Sequence, residues 1–282
     1  MFKTIFIMLL FFIPVLSSAS EPINSPQIEI SPPDIKQGDV FSVKINGTDI
    51  NADPKALFNG RDLLFAKCGD GCFAAIGAAP LDAKPGSYRI EIVAGEQRFK
   101  TELVIKQARL ETIKLTLPEG KVILSPEDAK RAEQEAERLK TIWEIRTERL
   151  WDGGFIMPLD NELSTPFGVK RIINNKKVSI HWGLDIRGKE GEPVKASNKG
   201  KAVLVEELFF GGKTVVIDHG LGVYTIYMHM SAFNIKAGDA VSKGDIIGLV
   251  GSTGRSSGPH LHFGIKVQNI SANPASIVGL DL

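Results

Sequence analysis

Histidine is confined to one part of this chain. All five histidines fall between His181 and His262, and four lie in short fragments whose spacing could bring ring nitrogens together. In Gly258-Pro259-His260-Leu261-His262-Phe263 two imidazoles stand two residues apart. Alternate side chains of a β-strand share a face. His260 and His262 therefore point one way, while Leu261 and Phe263 enter a core. Side-by-side imidazoles are costly unless they meet a metal, a substrate or water. In His181-Trp182-Gly183-Leu184-Asp185, residues four apart on an extended chain also face one way, and Gly183 leaves space between His181 and Asp185. Tyr227-Met228-His229-Met230 adds a fourth imidazole.

Four imidazoles and one carboxylate suit zinc. Catalytic zinc commonly takes three nitrogen or oxygen ligands and keeps a position for water. The absence of a thiolate fits that preference and leaves manganese, iron and cobalt open. Such an ion brings the pKa of its water toward about 7. Histidines left over can move protons or stabilise an oxyanion. That set is what a metal-dependent hydrolase needs.

The rest of the chain must position these groups and place the protein. Lys3, the apolar run 5–16 and the small residues Ser17-Ser18-Ala19 read as a signal peptide over 1–19. The apolar run is too short for a transmembrane helix, so the mature chain is expected to be exported and not to span a membrane. The net charge of +1 gives no footing for a nucleic-acid partner. Export makes the two cysteines readable: Cys68 and Cys72 bracket Gly69-Asp70-Gly71 and are expected to form a small disulfide.

Residues 20–117 alternate in short strands around turns such as Lys36-Gln37-Gly38-Asp39 and Lys84-Pro85-Gly86-Ser87. They are expected to form an immunoglobulin-like β-sandwich without a catalytic constellation. A linker over 118–152 holds a helix that opens at Ser125-Pro126-Glu127-Asp128 and runs to about residue 150. Its Ala132, Ala136, Leu139 and Trp143 form a stripe laid along a neighbouring domain. From 153 to 282 glycine becomes dense and strands are short, with turns at 236–239 and 242–245. An antiparallel β domain is expected there, and the fold as a whole is mainly β.

Taken together, the motifs of residues 155–274 resemble those of the lysostaphin-type (M23, LytM-like) peptidoglycan metallopeptidases. The resemblance rests on Ser164-Thr165-Pro166-Phe167-Gly168-Val169-Lys170-Arg171, on His181-Trp182-Gly183-Leu184-Asp185, on Ile217-Asp218-His219-Gly220-Leu221-Gly222, on Tyr227-Met228-His229, and on Gly251-Ser252-Thr253-Gly254-Arg255-Ser256-Ser257-Gly258-Pro259-His260-Leu261-His262-Phe263. It implies a barrel-sandwich hybrid with a substrate groove and one Zn²⁺ held by His181, Asp185 and His262. It also implies a catalytic pair, His229 and His260, with the base unassigned between them, and cell-wall peptides as substrate. Arg171 and Asn174 become candidates for substrate contact, and Asn161, by distant analogy, a latent fourth ligand. Tyr227 either lines the groove or packs as a strand aromatic. His219 is expected to close a turn, and Met228 and Met230 to lie in the core.

Two rivals stand beside the peptidase. One is a catalytically silent domain of the same type that binds and activates other wall hydrolases. Survival of all five metal and catalytic positions argues against it. The other is a biotinyl or lipoyl carrier, from the turns in 235–245. The leader and neutral charge favour a Gram-negative periplasm over an extracellular, cell-wall location. They also favour cross-links between D-alanine and a diamino acid over glycine bridges. The N-terminal module either positions the enzyme or obstructs its groove, and a regulatory protein partner is left open.

Overall fold

The structure, a computed structural model, describes residues 26–47, 53–116, 124–175 and 177–282. The expected leader at 1–19 lies outside the described residues, as does the linker as far as residue 123.

The N-terminal part holds β1 (Gln27–Ser31), β2 (Asp34–Lys36), β3 (Val40–Asn46), β4 (Lys55–Phe58), β5 (Arg61–Leu63), β6 (Phe65–Gly69), β7 (Cys72–Ala78), β8 (Gly86–Ala94) and β9 (Gln97–Lys106). They form two sheets, ordered β1-β3-β7-β6 and β2-β9-β8-β4-β5. The alternation in Phe41, Val43 and Ile45 and in Ile90 and Ile92 sends these side chains into one core between the sheets. Cys68 and Cys72 are joined by a disulfide across the β6–β7 turn.

The chain then forms β10 (Thr112–Leu115) and α1 (Pro126–Glu144), followed by β11 (Leu163–Thr165), β12 (Lys170–Ile173), β13 (Lys177–Ile180), β14 (Leu184–Arg187), β15 (Pro193–Lys195) and β16 (Gly200–Leu208). Next come β17 (Gly212–Gly220), β18 (Val223–Met230), β19 (Ala232–Phe233), β20 (Ala240–Val241), β21 (Ile246–Leu249), β22 (His260–Val267), β23 (Ile270–Ala272) and α2 (Pro274–Val278). The main sheet runs β11-β14-β22-β18-β17-β16-β20. A small sheet, β15-β21-β19, packs on one of its faces around Leu184, Ile217, Tyr227, Ile247, Leu261 and Phe263. The mainly β architecture agrees with the pattern of alternation and turns. One boundary differs. β10, expected in the sandwich, instead pairs in parallel with β12, so the sandwich chain ends sooner and the linker joins the C-terminal part.

Three turns share one lock. Asp39, Asp239 and Asp245 each accept the backbone N–H three residues earlier, from Lys36, Lys236 and Ser242. The preceding glycines take φ of 87°, 96° and 89°, where only glycine is unstrained. The 235–245 run is therefore two strand turns of a kind also found in the sandwich, which removes the reason for a carrier module.

α1 starts as its sequence dictates. Ser125 Oγ accepts from Asp128 N–H at 3.1 Å, and Pro126 opens the first turn. It stops at Glu144, short of residue 150. The Tyr224 hydroxyl lies 2.9 Å from the carbonyl of Ile142 and 2.8 Å from that of Ile145. Beyond it the chain is drawn out along β17: Leu150 and Trp151 donate to the His219 carbonyl, and Thr147 Oγ1 donates to Asp218. Trp143 packs edge-on to Tyr224 beside Leu204 and Val216. α1 thus covers part of the main-sheet face opposite the small sheet.

The sandwich docks elsewhere. Val40, Ile76 and Ala78 pack with Trp151, Val223, Ile265, Val267 and Ile277. Asn273 bonds Gly38 and Asp39, and Ser42 Oγ donates to Asp281. Val223, Ile265 and Val267 lie on the Phe263 side of their strands, opposite the side that carries His262.

His219 is fully buried and structural. Its Nδ1–H donates to Lys199 O at 2.8 Å, its Nε2 accepts from Thr225 Oγ1 at 2.7 Å, and its ring meets Phe155 edge-on. Burial lowers its pKa to about 4, against about 6.5 for an exposed imidazole. An unfolded chain takes up that proton as pH falls below about 6.5, whereas the folded chain resists until about 4. Stability is thus fully present above the unfolded pKa and falls away across that window, by about 3 kcal/mol at most. Urea midpoints between pH 7 and pH 4.5 should fall more steeply for the wild type than for His219→Gln; parallel curves would contradict this account.

Candidate active site

Strand register builds the centre of the site. β14 and β22 pair antiparallel with Asp185 opposite His262 and Arg187 opposite His260, so Asp185 and His262 emerge together on one face. Leu261 and Phe263, between and after the histidines, are fully buried on the other. His181 lies just before β14. Its N–H donates to Val169 O and its carbonyl accepts from Gly168 N–H, which seats it beside β12. Gly183 is required here: a Cβ would fall 2.6 Å from both His262 Nε2 and the Phe263 carbonyl.

Three ligand-type atoms then converge. His181 Nε2 lies 2.8 Å from Asp185 Oδ1 and 3.0 Å from His262 Nδ1, and His262 Nδ1 lies 2.9 Å from Asp185 Oδ1. The remaining nitrogen of His181, Nδ1, faces the Pro166 carbonyl at 2.8 Å, which can only accept. Nδ1 therefore carries a proton; a neutral His181 presents a lone pair at Nε2, whereas a protonated one donates from Nε2 to Asp185. Protons could bridge each imidazole to the carboxylate, but two N–H groups would then oppose each other along the His181–His262 edge. A cation at the centre relieves all three edges, and two imidazoles with a carboxylate are a donor set that zinc accepts. Burial opposes ionisation of Asp185, yet the hydrogen bonds and charges of His181 and His262 outweigh it and hold the carboxyl far below its usual range. Burial likewise lowers the pKa of His262, partly countered by Asp185. The outer oxygen, Oδ2, accepts from Arg171 at 3.1 Å.

His229 and His260 stand beside this triad. Their ring centroids are 4.8 Å apart, and His229 is 6.1 Å from His262. Each points Nδ1 at a backbone carbonyl: Thr253 O at 2.9 Å for His229, and Gly258 O at 2.8 Å for His260. Their Nε2 atoms are left for the cleft, and that of His260 lies 3.8 Å from Asp185 Oδ1. Burial lowers the pKa of His229 to about 4. Both carbonyls belong to the 251–259 loop. That loop meets the start of β17 at Gly254 and Gly212, where a Cβ on either would collide with the other's backbone segment.

His229 reaches the site by breaking strand alternation. Met228 lies opposite His262 and shares its face, while Tyr227 lies opposite Phe263 in the core. Strict alternation would bury His229 with Tyr227. Instead His229 has φ of 66°, at an irregularity in the β17–β18 pairing, and its ring turns to the Met228 side. Tyr227 is consequently no groove residue. It is fully buried and its hydroxyl accepts from Ser197 N–H at 2.8 Å. Met230 is core as expected, whereas Met228 borders the cleft.

The cleft measures about 900 Å³. On one side it is bordered by His181, Asp185, His229, His260 and His262, with Trp182 and Arg171 beside them. Its far wall comes from the linker: Ala132, Glu135, Ala136 and Leu139 of α1, with Ile113 of β10. Among the described residues of 26–106, none borders it. Asn174 sits in the β12–β13 turn with Asn175, at φ of 51° and 53°, and does not border the cleft. Asparagine is favoured there by the left-handed backbone. Asn161 is also elsewhere. Its amide donates to Arg187 O at 3.0 Å and Glu192 Oε1 at 2.8 Å, away from the triad.

Residues 179–274 match the family model described as Peptidase family M23. This part of the chain is an M23 peptidase domain. Over 127 residues the chain is 40% identical to the DD-carboxypeptidase/endopeptidase Mpg of Neisseria meningitidis, a match covering 44% of this chain and 29% of that protein. It is 38% identical over 119 residues to the peptidoglycan DD-endopeptidase ShyA of Vibrio cholerae, covering 41% of this chain and 28% of the other. The chain thus spans less than a third of the length of these relatives. A crystal structure of a candidate M23 peptidase from Pseudomonas aeruginosa agrees over 84% of this chain and 92% of its own, at 28% identity and a TM-score of 0.65. The agreement extends beyond the M23 domain into the N-terminal half. No described helix is long and apolar enough to cross a membrane.

The tight approach at Gly183 gives a test of the M23 domain's geometry. Gly183→Ala must displace either the His262 ring or the Phe263 carbonyl, at a cost of about 1–3 kcal/mol. Chemical denaturation should register that loss; an unchanged midpoint would mean the strand shifts freely.

Proposed function

We propose that this protein is an exported zinc endopeptidase that hydrolyses peptide cross-links of bacterial peptidoglycan. The observation that carries the reading is the convergence of His181 Nε2, Asp185 Oδ1 and His262 Nδ1 within 3.0 Å of one another. His181, Asp185 and His262 would hold one zinc ion, which when bound acidifies water and polarises the scissile carbonyl. His229 and His260 would carry the protons. The Thr253 and Gly258 carbonyls hold each ring with Nε2 toward the cleft, ready to take a proton and return it to the leaving amine. Burial keeps His229 neutral at working pH, so it gives up a captured proton readily. Protonated, either ring can donate to a developing oxyanion. Arg171 acts as a positioning residue that orients Asp185 through Oδ2. Assembly of all five side chains favours an enzyme over a silent binding domain.

The names of the Neisseria and Vibrio relatives support a wall substrate whose scissile bond joins two D-centres. The leader-like 1–19 segment and the Cys68–Cys72 disulfide support export, to a Gram-negative periplasm. We read the 27–106 sandwich as immunoglobulin-like from its strand order and from Tyr88, whose hydroxyl donates to Lys84 O as a tyrosine corner does.

His262→Ala should lose both zinc, by elemental analysis, and turnover of purified sacculi. His229→Ala should keep zinc and lose activity by about 10²–10⁴-fold. Equal zinc loss in the two variants would overturn the assigned roles. A chelator should abolish turnover and zinc restore it. The α1 wall is tested separately: Ala136→Trp fills the groove from the linker side and should raise KM with zinc content unchanged. An unaltered KM would mean the substrate does not pass between α1 and the histidines.

A further inference from the structure

Arg255 is a cation of the cleft whose guanidinium makes no ion pair or hydrogen bond among the described residues. Arg171 is taken by Asp185 and Arg187 by Glu162. The two acids that border the cleft are also committed. Asp185 faces the imidazoles and Arg171. Glu135 accepts from Arg131 Nε through Oε1 and from Phe209 N–H through Oε2.

The guanidinium is nevertheless held in place. It lies over the Phe210 ring, 4.2 Å from the centroid, and Arg255 N–H donates to Phe210 O at 2.9 Å. Stacking on an aromatic face fixes the planar fork while leaving its edge donors unused. Burial, and then the like charge of Arg171, both work against the cation. The 251–259 loop that carries Arg255 also supplies the carbonyls of Thr253 and Gly258 that pin His229 and His260. A rigid, unpaired fork in this loop, facing a cleft with a second guanidinium, is suited to a bidentate anion.

We infer that Arg255 is a specificity-determining residue that receives a free carboxylate of the substrate beside the scissile bond. The inference rests on the reading of the cleft as a cross-link endopeptidase. When a peptide bond joins two D-centres through an α-amine, the amine-side residue carries its own carboxyl group next to the scissile nitrogen. That group is either a free acid or an amide, and Arg255 selects the acid.

The test uses the full mature chain loaded with zinc and two defined cross-linked peptide dimers that differ only in this group. The wild type should cleave the acid with a kcat/KM about 10- to 100-fold above that of the amide, as expected for a charge-assisted hydrogen bond. Arg255→Gln should lose that factor on the acid, mainly in KM, and stay within about twofold on the amide. Affinity for the uncleaved amine-side fragment, as acid and as amide, reads the same preference by calorimetry without turnover. Equal affinities in the wild type, or an equal loss on both substrates in Arg255→Gln, would overturn the assignment. A wild type that binds the acid fragment preferentially but cleaves neither dimer would support Arg255 and sink the hydrolase reading.

Discussion

The site depends on three ligand-type atoms packed so closely that protons alone cannot satisfy all three contacts at once. His181 has Nδ1 tied to Pro166, so Nε2 is the atom that meets Asp185 and His262, at 2.8 and 3.0 Å. Water would ordinarily separate such groups, but His181 and Asp185 are buried. The fold forces the contact by three means: the pairing of Asp185 with His262 across β14 and β22, the missing side chain at Gly183, and the anchoring of His181 beside β12. Each is a backbone feature, so the polar side chains need little freedom of their own. That rigidity suits a cation with strict geometric demands.

The two faces of the main sheet divide the remaining work. One is packed by the small sheet and, past its edge, by the sandwich. The opposite face carries the histidines and is shared with α1, which buries Trp143 against Tyr224 and leaves Ala132 and Ala136 along the cleft. Small residues at those positions leave the opening wide where a larger side chain would close it. The cleft is therefore confined between a rigid sheet and a helix whose own attachment is made of side chains.

Much of this was legible in the sequence. The alternation at His260, Leu261, His262 and Phe263 told which side chains face the site and which the core. Ser125 and Pro126 marked the helix start, and the Gly-Asp pairs marked turns. Local pattern failed where long-range contacts overrode it. His229 leaves strand parity through a left-handed residue that periodicity does not encode, so alternation cannot decide between the groove and the core for Tyr227, which the structure places in the core. α1 ends early because Tyr224, remote in sequence, takes its terminal carbonyls. Asn174 is a candidate for substrate contact by type, and the left-handed backbone it adopts in the β12–β13 turn is not legible from type alone. Arg255 lay inside the quoted motif, yet its stacking on Phe210 depends on a hairpin some forty residues upstream.

The pairing of β10 with β12 carries a practical consequence for dissecting the protein. A fragment cut at residue 153, where glycine content changes, would contain every imidazole of the site. It would also lack one bank of the cleft, and the released edge of β12 would present unpaired backbone N–H and C=O groups to any passing strand. Such a fragment would be an open-sided trough prone to self-association, and its breadth of substrate acceptance would describe the trough and not the parent protein.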